Sequence, residues 1–190
     1  MIDVHMLIGL TERAEWRRKM HRQMLAEGVP LHVEQAIRDQ TNAARLAAFE
    51  HGICDWVSWV DPDDEIIPGI FETLVGVLAS RPDAVGAFTW EAHISETGKT
   101  LMASNSGQPL PQRAHHLVVV RRDLIAQIRA EASAAAHGIE QMIVAAARRS
   151  DRAFIEIPRV GYRWRLHRDN AHANYGRLAP GGVPGKRHAR

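Results

Sequence analysis

The sequence predicts an α/β domain, and three observations carry that prediction. Strand-like apolar runs alternate with segments of helical periodicity. The strongest run, Asp-Trp-Val-Ser-Trp-Val at 55–60, is apolar at most positions on both faces, as a central strand of a covered sheet must be. An acidic cluster, Asp61-Pro62-Asp63-Asp64-Glu65, follows that run directly. In open α/β sheets, ligands sit beyond the carboxyl ends of the strands.

Taken in order, Val4 to Leu10 reads as a short buried strand. A helix over about 14–26 follows, stopped by Gly28 and Pro30. Leu31 to Ile37 alternates apolar and polar residues and reads as a second strand. Thr41-Asn42 offers a cap for a helix over 41–51 that Gly52 ends. After the central strand, Pro68 opens a helix whose Ile70, Phe71, Leu74, Val77 and Leu78 fall at helical spacing. A strand is expected over 84–93, then a long polar loop or loose hairpin over 95–115, then a short β-branched strand over 117–120. Asp123 is placed as the cap of a helix reaching about Ala136, where His137-Gly138 breaks it. A last helix spans 139–149 and a last short strand 153–157. There is no internal repeat.

Composition narrows the function classes. The chain has 190 residues, of which 45% are hydrophobic and 24% charged, enough for one compact domain with a sizeable core. That domain is expected over 1–177, with a flexible basic tail over 178–190. No apolar run approaches the roughly 20 residues needed to span a bilayer. The first residues lack a basic and then apolar leader, so the expected compartment is the cytoplasm. Cys54 is the only cysteine, which excludes an intramolecular disulfide. The net charge of +2 hides an asymmetry: residues 1–147 carry −6 and residues 148–190 carry +8. A basic C-terminal segment suits an anionic partner, either a phosphorylated small molecule or a nucleic acid.

Asp61, Asp63 and Asp64 are the most informative residues. Three carboxylates within four residues repel one another unless a cation or strong donors intervene. Such oxygen ligands suit Mg²⁺ or Mn²⁺, which retain waters and bridge to substrate phosphates. The same acids would also suit a solvated turn before a helix N-terminus. If residues 162–166 are extended, Arg163, Arg165 and His167 share one face, and arginines there suit bidentate phosphate binding. The other histidines, among them His115 and His116, show no ligand spacing and read as structural or exposed. Trp56, Trp59, Trp90 and Trp164 read mainly as core, with Trp90 placed to stack on a sugar or base as the other option.

Three stretches are read together: Ala44-Arg45 through Gly52 and the Trp56–Val60 strand into Asp61-Pro62-Asp63-Asp64, Thr11-Glu12-Arg13-Ala14-Glu15, and Ile157 to His167. Together they resemble family 2 glycosyltransferases of the GT-A fold, the Rossmann-like nucleotide-diphospho-sugar transferase architecture with a mixed sheet flanked by helices. The second is similar to the family's first loop, and the third to its closing Pro-x-x-x-Tyr-x-x-Arg-x-His. Leu46 departs from the usual Asn after Ala-Arg. In order, the likeness covers about residues 2–172.

The resemblance implies a nucleotide-sugar donor, a UDP-sugar first, held through Mn²⁺ or Mg²⁺. Asp63 would be the direct metal ligand, with Asp61 facing the ribose or the metal's waters and His167 completing the shell or touching the diphosphate. Asp64 would orient the site or touch the sugar. Thr11, Glu12 and Arg13 would lie beside the nucleobase or ribose, and Asp39 would stand in for the acid that contacts the base. Arg45, Arg163 and Arg165 join the donor-binding set. Glu140, in Gly138-Ile139-Glu140-Gln141, falls where inverting members place a general base, although Gln141 beside it cannot take a proton. Expected acceptors are a glycan, a protein or a modified DNA. The acceptor half is short for the family, so its site is either open or completed by a second subunit. A nucleic-acid-binding module and a metal-dependent phosphoesterase are the alternatives from other classes.

Overall fold

The computed structural model describes residues 1–9, 13–37, 40–104, 116–136 and 138–167. The described strands are β1 (Ile2–Ile8), β2 (Leu31–Gln35), β3 (Trp56–Val60), β4 (Glu65–Ile66), β5 (Gly86–Ser95), β6 (Thr100–Ser104), β7 (Val118–Arg121) and β8 (Phe154–Leu166). The described helices are α1 (Ala14–Glu27), α2 (Thr41–Ala48), α3 (Ile70–Ser80), α4 (Arg122–Ser133) and α5 (Ile139–Arg149). The strands form one sheet in the order β2-β1-β3-β7-β5-β8-β4, with β6 also on β5. β1 runs parallel to β2 and β3, and β5 parallel to β8, while β7 is antiparallel to both β3 and β5. The carboxyl ends of β1, β2, β3, β5 and β8 therefore share one edge. Among the described residues no helix is long and apolar enough to cross a membrane.

Both faces of the sheet are covered, as the unbroken apolar strands require. Ile2, Val4 and Met6 of β1 point to one face and meet Met20 and Met24 of α1 and Ile70, Phe71, Leu74 and Leu78 of α3. On the other face Val57 and Trp59 of β3 and Val118 and Val120 of β7 pack against Leu124, Ile125 and Ile128 of α4 and Ile139 and Ile143 of α5. Side chains alternate along each strand, so one strand serves two cores.

Polar residues tie the layers together where the helix caps were expected. Thr41-Asn42 does not cap α2: the residue before the helix is Gln40, and it makes no side-chain cap bond. Asn42 is fully buried instead. Its amide donates to the carbonyls of Ala132 (3.1 Å) and Ala135 (3.0 Å) and accepts from the Ile139 N–H at 2.8 Å. One side chain thus satisfies the end of α4 and the start of α5, which a longer α4 running to Ala136 would have prevented. Asp123 lies within the first turn of α4 rather than at its cap. Pro68 precedes α3 by two residues, and Gly69 enters it with φ 76°.

At the amino edge, Asp3 is buried at the start of β1 and accepts from the Cys54 N–H (2.7 Å), Arg122 and His32. Burial alone would raise its pKa, but those donors and the Arg122 charge hold it below the usual carboxylate range. Arg122 also donates to the carbonyls of Phe49 and Cys54, clamping the loop that leads into β3.

The largest departure from the sequence reading is β8. The sequence places a last short strand over 153–157 and considers 162–166 extended as a separate stretch, yet a single strand runs to Leu166. The register against β5 jumps from Thr89↔Ile157 to Trp90↔Val160, so Pro158 and Arg159 occupy an irregularity in which no ladder N–H is demanded of the proline. The polar stretch after β5 turns back as β6, a hairpin; its remainder over 105–115 lies outside the described residues, as do the 178–190 tail and His172. β4, two residues long, had no signal of its own.

Gly161 is where β8 crosses Thr89 and α3. A Cβ there would lie 2.5 Å from Thr89 Oγ1 and 2.7 Å from Ile70 Cγ1. Gly161→Ala is expected to destabilise the fold by about 1–3 kcal/mol through overpacking. Gly76→Ala, in open space on α3, is expected to stabilise it by about 0.4–1 kcal/mol. Urea unfolding of the two variants checks both signs; a neutral Gly161→Ala would mean that β8 does not cross so closely.

Candidate functional site

The acidic turn begins where β3 leaves the sheet. Asp64 N–H closes the turn on the Asp61 carbonyl at 3.3 Å, and Glu65 and Ile66 then pair with Arg163 and Tyr162 of β8. The cluster is therefore pinned between a central strand and the long closing strand. The Tyr162 hydroxyl accepts from the Asp61 N–H at 3.0 Å. Asp64, only 2% exposed, accepts from the Arg165 N–H at 2.6 Å through Oδ1, while its Oδ2 is buried with no hydrogen-bond partner.

The crowding shows in the protonation equilibria. Burial, then the charges of Asp63 and Asp61, push the Asp64 carboxyl well above the usual range. Burial and the Asp61 charge also raise Asp63, against the opposing pull of His167. Tyr162 is raised by burial and by Asp64 and Asp61. Each shift says that the pocket disfavours further negative charge.

Two cationic braces hold the acids. Arg45, buried in α2, donates through Nη2 to Asp61 Oδ1 (2.7 Å) and through Nε to Glu140 Oε1 (3.0 Å). Burial opposes its charge, but the two carboxylates more than compensate and its pKa is raised. Glu140, in the first turn of α5, is thereby fixed to the same guanidinium as Asp61. On the other side Glu65 receives Lys19 (2.6 Å), Arg163 (2.8 Å) and Arg165. Arg165 also donates to the carbonyls of Asp63 (2.7 Å) and Glu96 (2.9 Å). Arg163 and Arg165 do share one face of an extended β8, but both are spent on Glu65, and Arg165 is 2% exposed.

His167, at the end of β8, faces Asp63: Nε2 and Oδ2 are 2.7 Å apart, and the ring lies against Trp16. Arg13 stacks over the other part of this corner, 4.5 Å from the Trp16 ring, and pairs with Glu96. Thr11, Glu12 and Asp39 lie outside the described residues.

His116 corrects the sequence reading. It is not exposed, its side chain being 10% accessible, and with Asp61 and Asp64 it forms a group whose ligand atoms all lie within 4.8 Å of one another. Its Nδ1 is 2.6 Å from Glu91 Oε2, and its ring stacks on Tyr162 with centroids 5.1 Å apart. No local spacing announces this, because His116 precedes β7 and Asp61 follows β3, and only their antiparallel pairing joins them. Trp59 is buried in one core, Trp56 and Trp164 pack half-buried against the other, and Trp90, also half-buried, donates to Glu156 at 2.7 Å.

The donor set fits a divalent cation. Two carboxylates and an imidazole converge, Asp64 Oδ2 is an orphaned buried acceptor, and the raised carboxyl pKa values mark charge that a cation would neutralise.

A raised native pKa makes the folded state bind more protons than the unfolded chain, so stability falls as pH rises from the unfolded carboxyl value towards the native one. Asp64→Asn keeps an acceptor for Arg165 and removes that charge. Without divalent cations the variant is expected to melt at or above the parent at pH 7, by about 2–4 °C for each kcal/mol recovered. The two should converge near pH 4. A variant that melts well below the parent at pH 7 would show that the Asp64 charge stabilises the corner.

No family model and no curated protein matches the sequence. Solved structures do. S. aureus TarS 1–349 superposes with a TM-score of 0.64 at 11% identity, covering 86% of this chain and 60% of that one. TarS 1–349 in complex with UDP-GlcNAc gives 0.64 at 11%, covering 87% and 58%, and its complex with UDP gives 0.65 at 10%, covering 88% and 61%. This chain thus spans about 60% of the length of those structures. At such identity the likeness shows the fold: a GT-A-like mixed sheet flanked by helices, the architecture that the three sequence stretches implied.

Proposed function

We propose that this chain is a glycosyltransferase that moves a sugar from a nucleotide-sugar, a UDP-sugar first, to an acceptor hydroxyl, with inversion and with a divalent cation at Asp61–Asp64. One observation carries the reading: a GT-A-like sheet gathers three carboxylates at the carboxyl edge of its central strand, where two of them resist ionisation. TarS, similar in fold, was solved with UDP-GlcNAc and with UDP, which supports the donor class.

Bound there, Mn²⁺ or Mg²⁺ would offset the charge that builds on the departing diphosphate. The chain's own residues do the rest. Arg45 holds Asp61 and Glu140 in fixed relation. The Glu140 carboxylate takes the proton of the acceptor hydroxyl as its oxygen bonds to the anomeric carbon and the carbon–phosphate-oxygen bond breaks. Arg13 and Trp16 border the donor side, with Thr11, Glu12 and Asp39 assigned to the nucleoside. Lys19, part-exposed beside Glu65, is the cation that a diphosphate can recruit. The acceptor is a glycan, a protein or a modified DNA, and assembly as a homo-oligomer is part of the proposal.

Among the described basic residues of the C-terminal segment, Arg163 and Arg165 pair with Glu65 and Arg152 with Asp123; nucleic-acid binding through the rest of that segment is the second reading.

Two measurements test the proposal. UDP and Mn²⁺ together should raise the melting temperature more than either alone, and Asp64→Ala should lose the Mn²⁺-linked part. If UDP binds equally well without the cation, the metal drops out of the mechanism. Glu140→Gln should lower kcat by about a hundred- to ten-thousandfold with UDP binding unchanged. A variant with parent turnover would remove Glu140 as the base.

A further inference from the structure

Three histidines approach the acidic corner, and their partners differ. His167 is turned to Asp63. His93 lies 3.3 Å from Glu91 Oε1 and sets its edge against Trp164. His116 alone joins Asp61 and Asp64 in a convergent group. Its ring lies nearly parallel to Tyr162 (4°) and 5.0 Å from the tilted ring of Trp164. Glu91 is buried in β5 opposite Tyr162 in the β5–β8 register, so the carboxylate that meets His116 is itself placed by the sheet.

Building on the metal-dependent reading above, we propose that His116 supplies the nitrogen ligand of the divalent-cation site formed with Asp61 and Asp64, and that Glu91 is its positioning residue. The chemistry follows from the 2.6 Å contact at Nδ1. A carboxylate there accepts the Nδ1–H, which selects the tautomer with its lone pair on Nε2 and makes that nitrogen more basic. The buried Asp64 Oδ2, without a hydrogen-bond partner, is the second independent sign that the corner is built for a cation. A nitrogen among oxygen ligands also sets metal preference. Imidazole is a poor ligand for Mg²⁺ and a good one for transition metals, so the site should favour Mn²⁺ over Mg²⁺. In this arrangement His167 serves Asp63 and stays outside the coordination shell.

Calorimetric titration of the full chain with Mn²⁺ alone, and with Mg²⁺ alone, tests this. His116→Ala and the size-conserving His116→Gln should weaken Mn²⁺ binding strongly and erase the preference over Mg²⁺. Glu91→Ala should weaken Mn²⁺ binding by about 10–100-fold, and Glu91→Gln, whose amide oxygen can still accept the Nδ1–H, should recover most of that loss. His167→Ala should bind Mn²⁺ nearly as the parent does. The Mn²⁺/Mg²⁺ ratio guards against a purely structural effect, since loosening of the fold weakens both ions alike. If the His116 variants bind Mn²⁺ like the parent while Asp64→Ala does not, the relay is wrong and the metal site stands. Loss of binding in His167→Ala instead of His116→Ala overturns the ligand assignment. If the parent binds neither ion, the metal reading falls together with the relay.

Discussion

The site depends on keeping three carboxylates together at the end of one strand. Beside the Asp61 charge, Asp63 and Asp64 resist ionisation, and burial is the larger cause for both. The protein answers with partners rather than with distance. Arg45 takes Asp61, His167 takes Asp63, and the Arg165 N–H takes Asp64. Each partner arrives from a different element: α2 for Arg45, β8 for Arg165, and the residue after β8 for His167. The helices and the sheet must therefore be in place before the acidic turn can exist in this form.

β8 is the element through which most of this is imposed. Its 13 residues pair with β5 along their length and with β4 at the turn. Tyr162, fully buried, props the Asp61 backbone and gives His116 a flat surface. Arg163 and Arg165 converge on Glu65, so two of the basic side chains of this segment are paired inside the fold. Charge counted along a chain overstates the charge that a partner can reach, because ion pairs formed at long range consume it.

Glu65 and Glu140 show two ways in which an acid is set to a task. Glu65 is buried among Lys19, Arg163 and Arg165, and those partners lower its pKa against the burial that would raise it. It organises cations near the expected diphosphate. Glu140 shares a guanidinium with Asp61 at the start of a helix, which orients one of its oxygens and couples the proposed base to the acidic turn. Displacement of one acid would be felt by the other through Arg45.

The sequence by itself determined the α/β class, the central strand and the acidic turn. Those features are local: an apolar run long enough for one strand, helical spacing in 70–78, and acids placed directly after the run. The arginines and His167 on one face of residues 162–167 were legible too, since period-2 alternation decides facing. Tertiary structure alone decided which cations the acids receive and that His116 and Glu91 join the site. Those contacts span from 16 residues, for Arg45 and Asp61, to about 100, for Arg165 and Asp64. That 153–157 and 162–166 belong to one strand was not legible, because Pro158 and Gly161 are strand breakers until a register shift against β5 makes room for them. Local spacing can place a residue on a strand or helix; only strand order brings the end of β3, the start of β7 and the middle of β5 to one point.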